Sequence, residues 1–337
     1  MSDIPPVPWS ELSANENPWG PGPHARAAII AATDEGCRYG MDFHARLVDA
    51  IAAKEQVDRS RIVIGSGSGE LLHMLALAWC ERGQVVCAWP TFSQLMLFAE
   101  KLGAETRKIP VDAELRHDLP ALAAATTPNT SLLHVCNPNN PTGTVVEGSR
   151  LRQFCSDMAQ RTLVVVDEAY LDMVDDGATT SMVDLARTDA NVIVLRTFSK
   201  IHGLAGLRVG YGIAHPDIIQ RLKRFQMTTP NILGLAAATA SLDDSEFLAR
   251  TRTALIADRR RMAAACDELD LRYATPQGNF LFLQPGMPPD AFRARMKAKQ
   301  IEVGRPFEPL LDWCRVSVGT TDETSVFIAA LRAVVKG

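Results

Sequence analysis

Five short runs of Val, Ile and Leu with almost no polar alternation limit the fold of this chain more than any other feature. They are Arg61–Ile64, Val85–Ala88, Leu132–Cys136, Leu163–Val166 and Val192–Leu195. A strand with one wet face alternates apolar and polar residues, whereas a strand without alternation is buried on both faces, as in a parallel sheet covered by helices. Helical spacing separates the runs. Apolar positions 43, 47 and 51 precede the first, Gly65-Ser-Gly-Ser-Gly-Glu70 leads into an apolar helix through about Trp79, and further helices are predicted near 92–102, 147–160 and 217–226. Strands alternating with helices give an α/β fold with a mostly parallel, mixed sheet, whose sites lie at the carboxyl ends of the strands.

After residue 244 the pattern changes. A long helix is predicted over Glu246–Leu269, with Leu248, Leu255, Met262 and Leu269 on one face. Strand-like Asn279–Leu283 and Cys314–Val318 follow, then a terminal helix near 322–335. Residues 1–24, rich in Pro, Asn and Gly, read as an extended arm. The expected division is an N-terminal arm over 1–32 that joins the smaller unit, a large domain over 33–244 and a small α+β domain over 245–337. A chain of 337 residues, 47% hydrophobic and 22% charged, is long enough for both.

The net charge of −4 provides no basic field for nucleic acid or an anionic membrane. The N-terminus lacks the basic and apolar regions of a signal peptide, and stretches such as Leu71–Cys80 are too short or too interrupted to span a bilayer. Seven scattered cysteines without C-x-x-C spacing indicate a reduced, cytoplasmic protein with no disulfide framework. No set of histidines and carboxylates has metal spacing, so no metal is expected.

The most informative segment is Thr197-Phe-Ser-Lys200, followed by Ile-His-Gly-Leu-Ala-Gly-Leu-Arg208. A lysine on a loop is ordinarily a solvated charge. Here it follows a buried strand, with hydroxyls three residues and one residue before it and a guanidinium eight after. That set suits a ligand carrying both a phosphate and an electrophilic carbon, and a lysine that forms an imine is the pattern of pyridoxal 5'-phosphate. The Gly65–Glu70 turn is neither a dinucleotide fingerprint nor a P-loop; what remains is a small-residue helix start whose free N–H groups bind phosphate. His202, two residues past Lys200, reads as a packing or hydrogen-bonding group rather than a second base.

At these residues the chain resembles the class I/II aminotransferases of fold type I, and among them the histidinol-phosphate aminotransferase-like group. The resemblance runs through Leu12-Ser-Ala-Asn-Glu-Asn-Pro-Trp-Gly20, Pro90-Thr-Phe92, Asn137-Pro-Asn-Asn-Pro-Thr-Gly143, Asp167-Glu-Ala-Tyr170, Thr197–Lys200 and Cys314-Arg-Val-Ser-Val-Gly-Thr320. It implies that Lys200 carries the cofactor as a Schiff base and shuttles the substrate proton. Asp167 would pair with the pyridinium nitrogen, Tyr170 and Asn140 would reach the phenolic oxygen, and Phe92 would stack on the ring. Ser68, Gly69 and Glu70, with Thr197, Ser199 and Arg208, would hold the phosphate, helped by Tyr39 from the partner of a homodimer. Arg315, an arginine in an otherwise apolar strand, would grip the substrate anion, with Arg305 as a second contact and Asn140 beside it. Tyr39 is followed by Gly40-Met-Asp where the family usually has proline.

Three functions compete on this reading. One is an aminotransferase using histidinol phosphate or a related, aromatic amino donor and a 2-oxo acid such as 2-oxoglutarate. Another is a lyase of the same fold, such as an amino-acid phosphate decarboxylase. The third is a non-catalytic sensor module, which needs an attached DNA-binding domain for which the stretch before Leu12 leaves no room.

Overall fold

A computed structural model describes residues 9–81, 83–188 and 191–336. In chain order, β1 (Ser10–Leu12) is followed by α1 (Pro23–Ala32), α2 (Met41–Glu55), β2 (Ile62–Gly65), α3 (Ser68–Trp79), β3 (Gln84–Trp89), α4 (Gln94–Lys101), β4 (Glu105–Pro110) and α5 (Leu119–Ala125). Then come β5 (Thr130–Cys136), α6 (Gly148–Ala159), β6 (Leu163–Asp167), α7 (Val183–Arg187), β7 (Val192–Thr197), β8 (Gly210–Ile213), α8 (Pro216–Lys223) and α9 (Ile232–Leu242). The last third holds α10 (Ser245–Glu268), β9 (Phe280–Leu283), α11 (Pro289–Lys297), β10 (Ile301–Val303), β11 (Cys314–Ser317) and α12 (Thr321–Lys336).

The five apolar runs all lie in one seven-stranded sheet of order β2-β8-β7-β6-β5-β3-β4. β3 to β7 run parallel, and β8 lies antiparallel between β2 and β7. Absence of alternation has the expected cause. Val164 and Val166 of β6 enter a core with α2, α6 and α9, while Leu163 and Val165 enter the opposite core with α3, α4 and α8. The sheet is therefore covered on both sides.

Two small sheets complete the structure. β9 and β11 pair antiparallel, and β1 of the N-terminal arm pairs parallel with β10. Leu12 thereby joins the core formed by α10, α11 and α12. Further along, α1 packs Ala25 into the large core and lies against α9. Among the described residues, no helix is long and apolar enough to cross a membrane.

Candidate active site

Three neighbouring parallel strands end at one cavity of about 410 Å³, with β5 delivering Cys136, β6 Asp167 and β7 Thr197. This is the crevice at the carboxyl ends where α/β sheets place ligands. Its wall also contains Ser68, Gly69, Phe92, Asn140, Tyr170, Ser199, Lys200, Arg208 and Arg315.

One end of the cavity is a set of hydrogen-bond donors. α3 starts at Ser68, and the first N–H groups of a helix have no partner within it. Arg208 donates to Ser199 Oγ at 3.4 Å and to the Ala205 carbonyl at 2.8 Å, and Thr197 Oγ1 lies 3.0 Å from Ser199 Oγ. Gly67, with φ +79°, makes room for this, since a Cβ there would lie 2.5 Å from Arg208 Nη2. Glu70 does not line the cavity; its carboxylate turns back to accept the Ser66 N–H at 2.5 Å.

At the ends of the strands stands Asp167, 1% exposed, its carboxylate accepting the Ala169 N–H at 3.1 Å. Burial pushes its carboxyl up to about 6. The Lys200 amine is held down to about 8, first by burial and then by the Arg315 charge. Its Nζ donates to the Asn15 carbonyl at 2.9 Å and lies 5.3 Å from the centre of the Tyr170 ring. Tyr170 packs edge-on against Phe280, and its hydroxyl accepts from Asn140 at 3.4 Å and Asn15 at 3.2 Å. Burial pushes that phenol up to about 12.

Arg315 is buried, and its donors reach neutral oxygens only. Nη1 meets Asn140 Oδ1 and Nη2 the Ser13 carbonyl, both at 2.6 Å, while Nε has no hydrogen-bond partner among the described residues. An internal salt bridge, the ordinary explanation of a buried arginine, is missing among the described residues. An adjoining cavity of about 300 Å³ shares Phe92, Gln94, Asn140 and Arg315 and adds Thr91, Phe307 and Arg305. Arg305 is exposed, with its guanidinium 4.6 Å from the Phe307 ring centre.

A phosphorylated ring aldehyde fits these walls. A cradle of N–H, hydroxyl and guanidinium donors, a buried carboxylate with no ion pair among the described residues, and a lysine of lowered basicity all line the same cavity. Tyr39 is not brought to the cavity of its own chain and is 95% exposed. His202 does not line it either; burial holds its imidazole down to about 4, and its ring tilts against Phe198. Among the described residues, no three His, Cys, Asp or Glu side chains form a metal site.

The aminotransferase class I and II family model matches residues 7–331. The chain belongs to that family. It is 38% identical to a histidinol-phosphate aminotransferase of Moorella thermoacetica over 96% of this chain and 85% of that protein. It is equally 38% identical to an aromatic amino acid aminotransferase of Thermobifida fusca, over 96% of this chain and 89% of that one. The crystal structure of histidinol-phosphate aminotransferase from Sinorhizobium meliloti in complex with pyridoxal-5'-phosphate superposes with a TM-score of 0.90 at 28% identity, covering 97% of this chain and 90% of that one. The protein is a pyridoxal-phosphate-dependent aminotransferase, and this activity is favoured over the lyase alternative.

Residues outside the expected set also surround this cavity. Asn15 is the chief one. Its N–H donates to Ser317 Oγ at 2.8 Å, its amide reaches Tyr170, and its carbonyl accepts from Lys200 and, at 3.0 Å, from Asn279. Its left-handed φ of 55° suits asparagine, but the decisive acceptor is a backbone oxygen, which no side-chain pattern reveals. Gln94, at the start of α4, lines both cavities, and Cys136 lines the main one beside Asp167.

Proposed function

We propose that this aminotransferase moves an amino group from histidinol phosphate or an aromatic amino acid to a 2-oxo acid such as 2-oxoglutarate. The observation that carries the substrate reading is Arg315, a buried guanidinium on the wall of the Lys200 cavity that has no carboxylate partner among the described residues. Arg315 and Arg305 together suit a donor with a carboxylate or phosphate beside its reacting carbon, since guanidinium binds both in a bidentate manner. The Moorella and Thermobifida relatives bear the names of the two donor classes.

Pyridoxal phosphate, when bound, supplies an electron sink for charge left on the substrate carbon. Lys200 would hold it covalently and take the α-proton, a task to which an amine near 8 is suited at neutral pH. Asp167, anionic above about 6, would take the ring nitrogen. Tyr170 and Asn140 would hold the phenolic oxygen, and Phe92 would cover the ring. The α3 amides at Ser68 and Gly69, with Thr197, Ser199 and Arg208, would take the phosphate. Tyr39 would complete that cradle from the partner subunit of a homodimer. We place the protein in the cytoplasm, a setting supported by seven free cysteines.

A panel of amino donors tests the reading. Histidinol phosphate, phenylalanine and tyrosine are each supplied to the pyridoxal-phosphate-loaded protein, and the absorbance change to the pyridoxamine form is followed, with 2-oxoglutarate reversing it. At least one donor class is expected to respond, and a flat trace for all of them contradicts the proposed substrates. Lys200→Ala is expected to lose the visible band of the bound cofactor with unchanged far-ultraviolet circular dichroism.

A further inference from the structure

We propose that Glu168, Arg196 and Asp172 form a positioning clamp that holds the ends of β6 and β7, and through them Asp167 and Lys200, in one fixed arrangement. The three sit next to the cavity residues in sequence without lining the cavity themselves. Glu168 follows Asp167, Asp172 lies two residues past Tyr170, and Arg196 immediately precedes Thr197. The paired register of β6 and β7 ends at Asp167 opposite Leu195, with a last backbone bond of 2.9 Å from Glu168 N–H to the Leu195 carbonyl. Beyond that point no ladder fixes one chain segment against the other. Side chains take over where the ladder stops.

Arg196 supplies the fork. Nε donates to Glu168 Oε2 at 2.8 Å, Nη1 to Asp172 Oδ1 at 3.4 Å and Nη2 to Ser181 Oγ at 3.2 Å. Glu168 is saturated in turn, accepting from Ser181 Oγ at 2.8 Å and the Met182 N–H at 2.6 Å. Arg196 and Glu168 are 8% and 2% exposed. A buried ion pair is weak evidence for stability, because well-packed apolar groups often replace it without loss; fixing one geometry is a use that apolar groups do not match. A rigid shell behind cavity groups is also what holds them within a fraction of an ångström of working geometry.

Two variants test the clamp, read by steady-state kinetics, cofactor dissociation in equilibrium dialysis and thermal melting. Arg196→Lys keeps the charge but can serve only part of the fork. Glu168→Gln combined with Arg196→Met removes both buried charges at once. In each, kcat is expected to fall about tenfold, with donor KM changed less than about twofold and pyridoxal phosphate dissociating about tenfold more readily. For the double variant the melting temperature is expected to stay near that of the parent. Parental kcat and cofactor retention in Arg196→Lys, or in a double variant that melts normally, overturns the proposal. Should the double variant not fold, Arg196→Lys decides alone. The inference rests on the roles proposed above for Asp167 and Lys200. A Lys200→Ala chain that keeps its visible band undoes those roles, whereas an unaffected Arg196→Lys undoes only the clamp.

Discussion

Burial at the end of β6 pushes the Asp167 carboxyl up to about 6 from an ordinary value of 3.8, and that shift has a thermodynamic sign. An acid whose pKa is raised by folding binds its proton more tightly in the native state. The stability it contributes is complete below about pH 4 and is lost as pH rises through 6. Two pKa units at about 1.4 kcal/mol each amount to roughly 3 kcal/mol held against folding at neutral pH. Cofactor-free Asp167→Asn protein, which can still accept the Ala169 N–H, is therefore expected to be about 1–3 kcal/mol more stable than the parent at pH 7.5, with the gap closing below pH 4. If Asp167 takes the ring nitrogen as proposed, the variant's turnover is expected to fall at least about a hundredfold. Denaturant midpoints at the two pH values and donor kinetics read the two effects. An apoprotein weakened at pH 7.5 contradicts the electrostatic account of this residue.

At the scale of elements, the proposed phosphate site rests on the turn that starts α3. Gly67 holds φ +79°, and the space a Cβ would fill belongs to Arg208. Gly67→Ala must hold φ +79° and ψ 167°, a region almost reserved for glycine that costs about 1–3 kcal/mol, but it moves a flexible guanidinium rather than backbone, so the fold is expected to survive. Its effect falls on the ligand. Losing one charge-assisted hydrogen bond of about 1.5–3 kcal/mol weakens pyridoxal phosphate binding by roughly ten- to a hundredfold, as equilibrium dialysis measures. Unchanged binding would show that Arg208 does not hold the phosphate. The legibility of elements follows similar local physics. β3, β5, β6 and β7 were readable because burial on both faces removes polar residues, and Asp167 and Lys200 because each follows such a run. β4, Glu-Thr-Arg-Lys-Ile-Pro, was not, since an exposed edge strand carries charges and loses its apolar signature. β8, Gly-Tyr-Gly-Ile, is buried but half glycine. α9, Ile232–Leu242, lies in the core and has no polar face to mark a helical period. The clamp and the Asn15 carbonyl are tertiary facts, which join residues separated in sequence by 28 and 185 positions.

For the whole molecule, the open question is whether one chain holds a complete site. Tyr39 stands 95% exposed and outside the cavity of its own chain, with Ile30 and Met41 exposed at 70% and 69% nearby in sequence. Exposed side chains of this size are what an isologous interface buries, and in such an interface each chain contributes equally to the other. If Tyr39 serves the partner's cofactor, Tyr39→Ala and Lys200→Ala damage the same site from different chains. Each homodimer then has two faulty sites. A mixed dimer has one site lacking both residues and one lacking neither, since the Lys200 of the Tyr39→Ala chain receives an intact tyrosine from its partner. Unfolding and refolding the two inactive variants together, in equal amounts, is expected to restore about a quarter of parental activity, because half of randomly paired dimers are mixed and each carries one whole site. Sedimentation should show twice the chain mass of 36.7 kDa. If Tyr39 instead acted within its own chain, every mixed dimer would keep two damaged sites, and no ratio of the two variants would recover turnover.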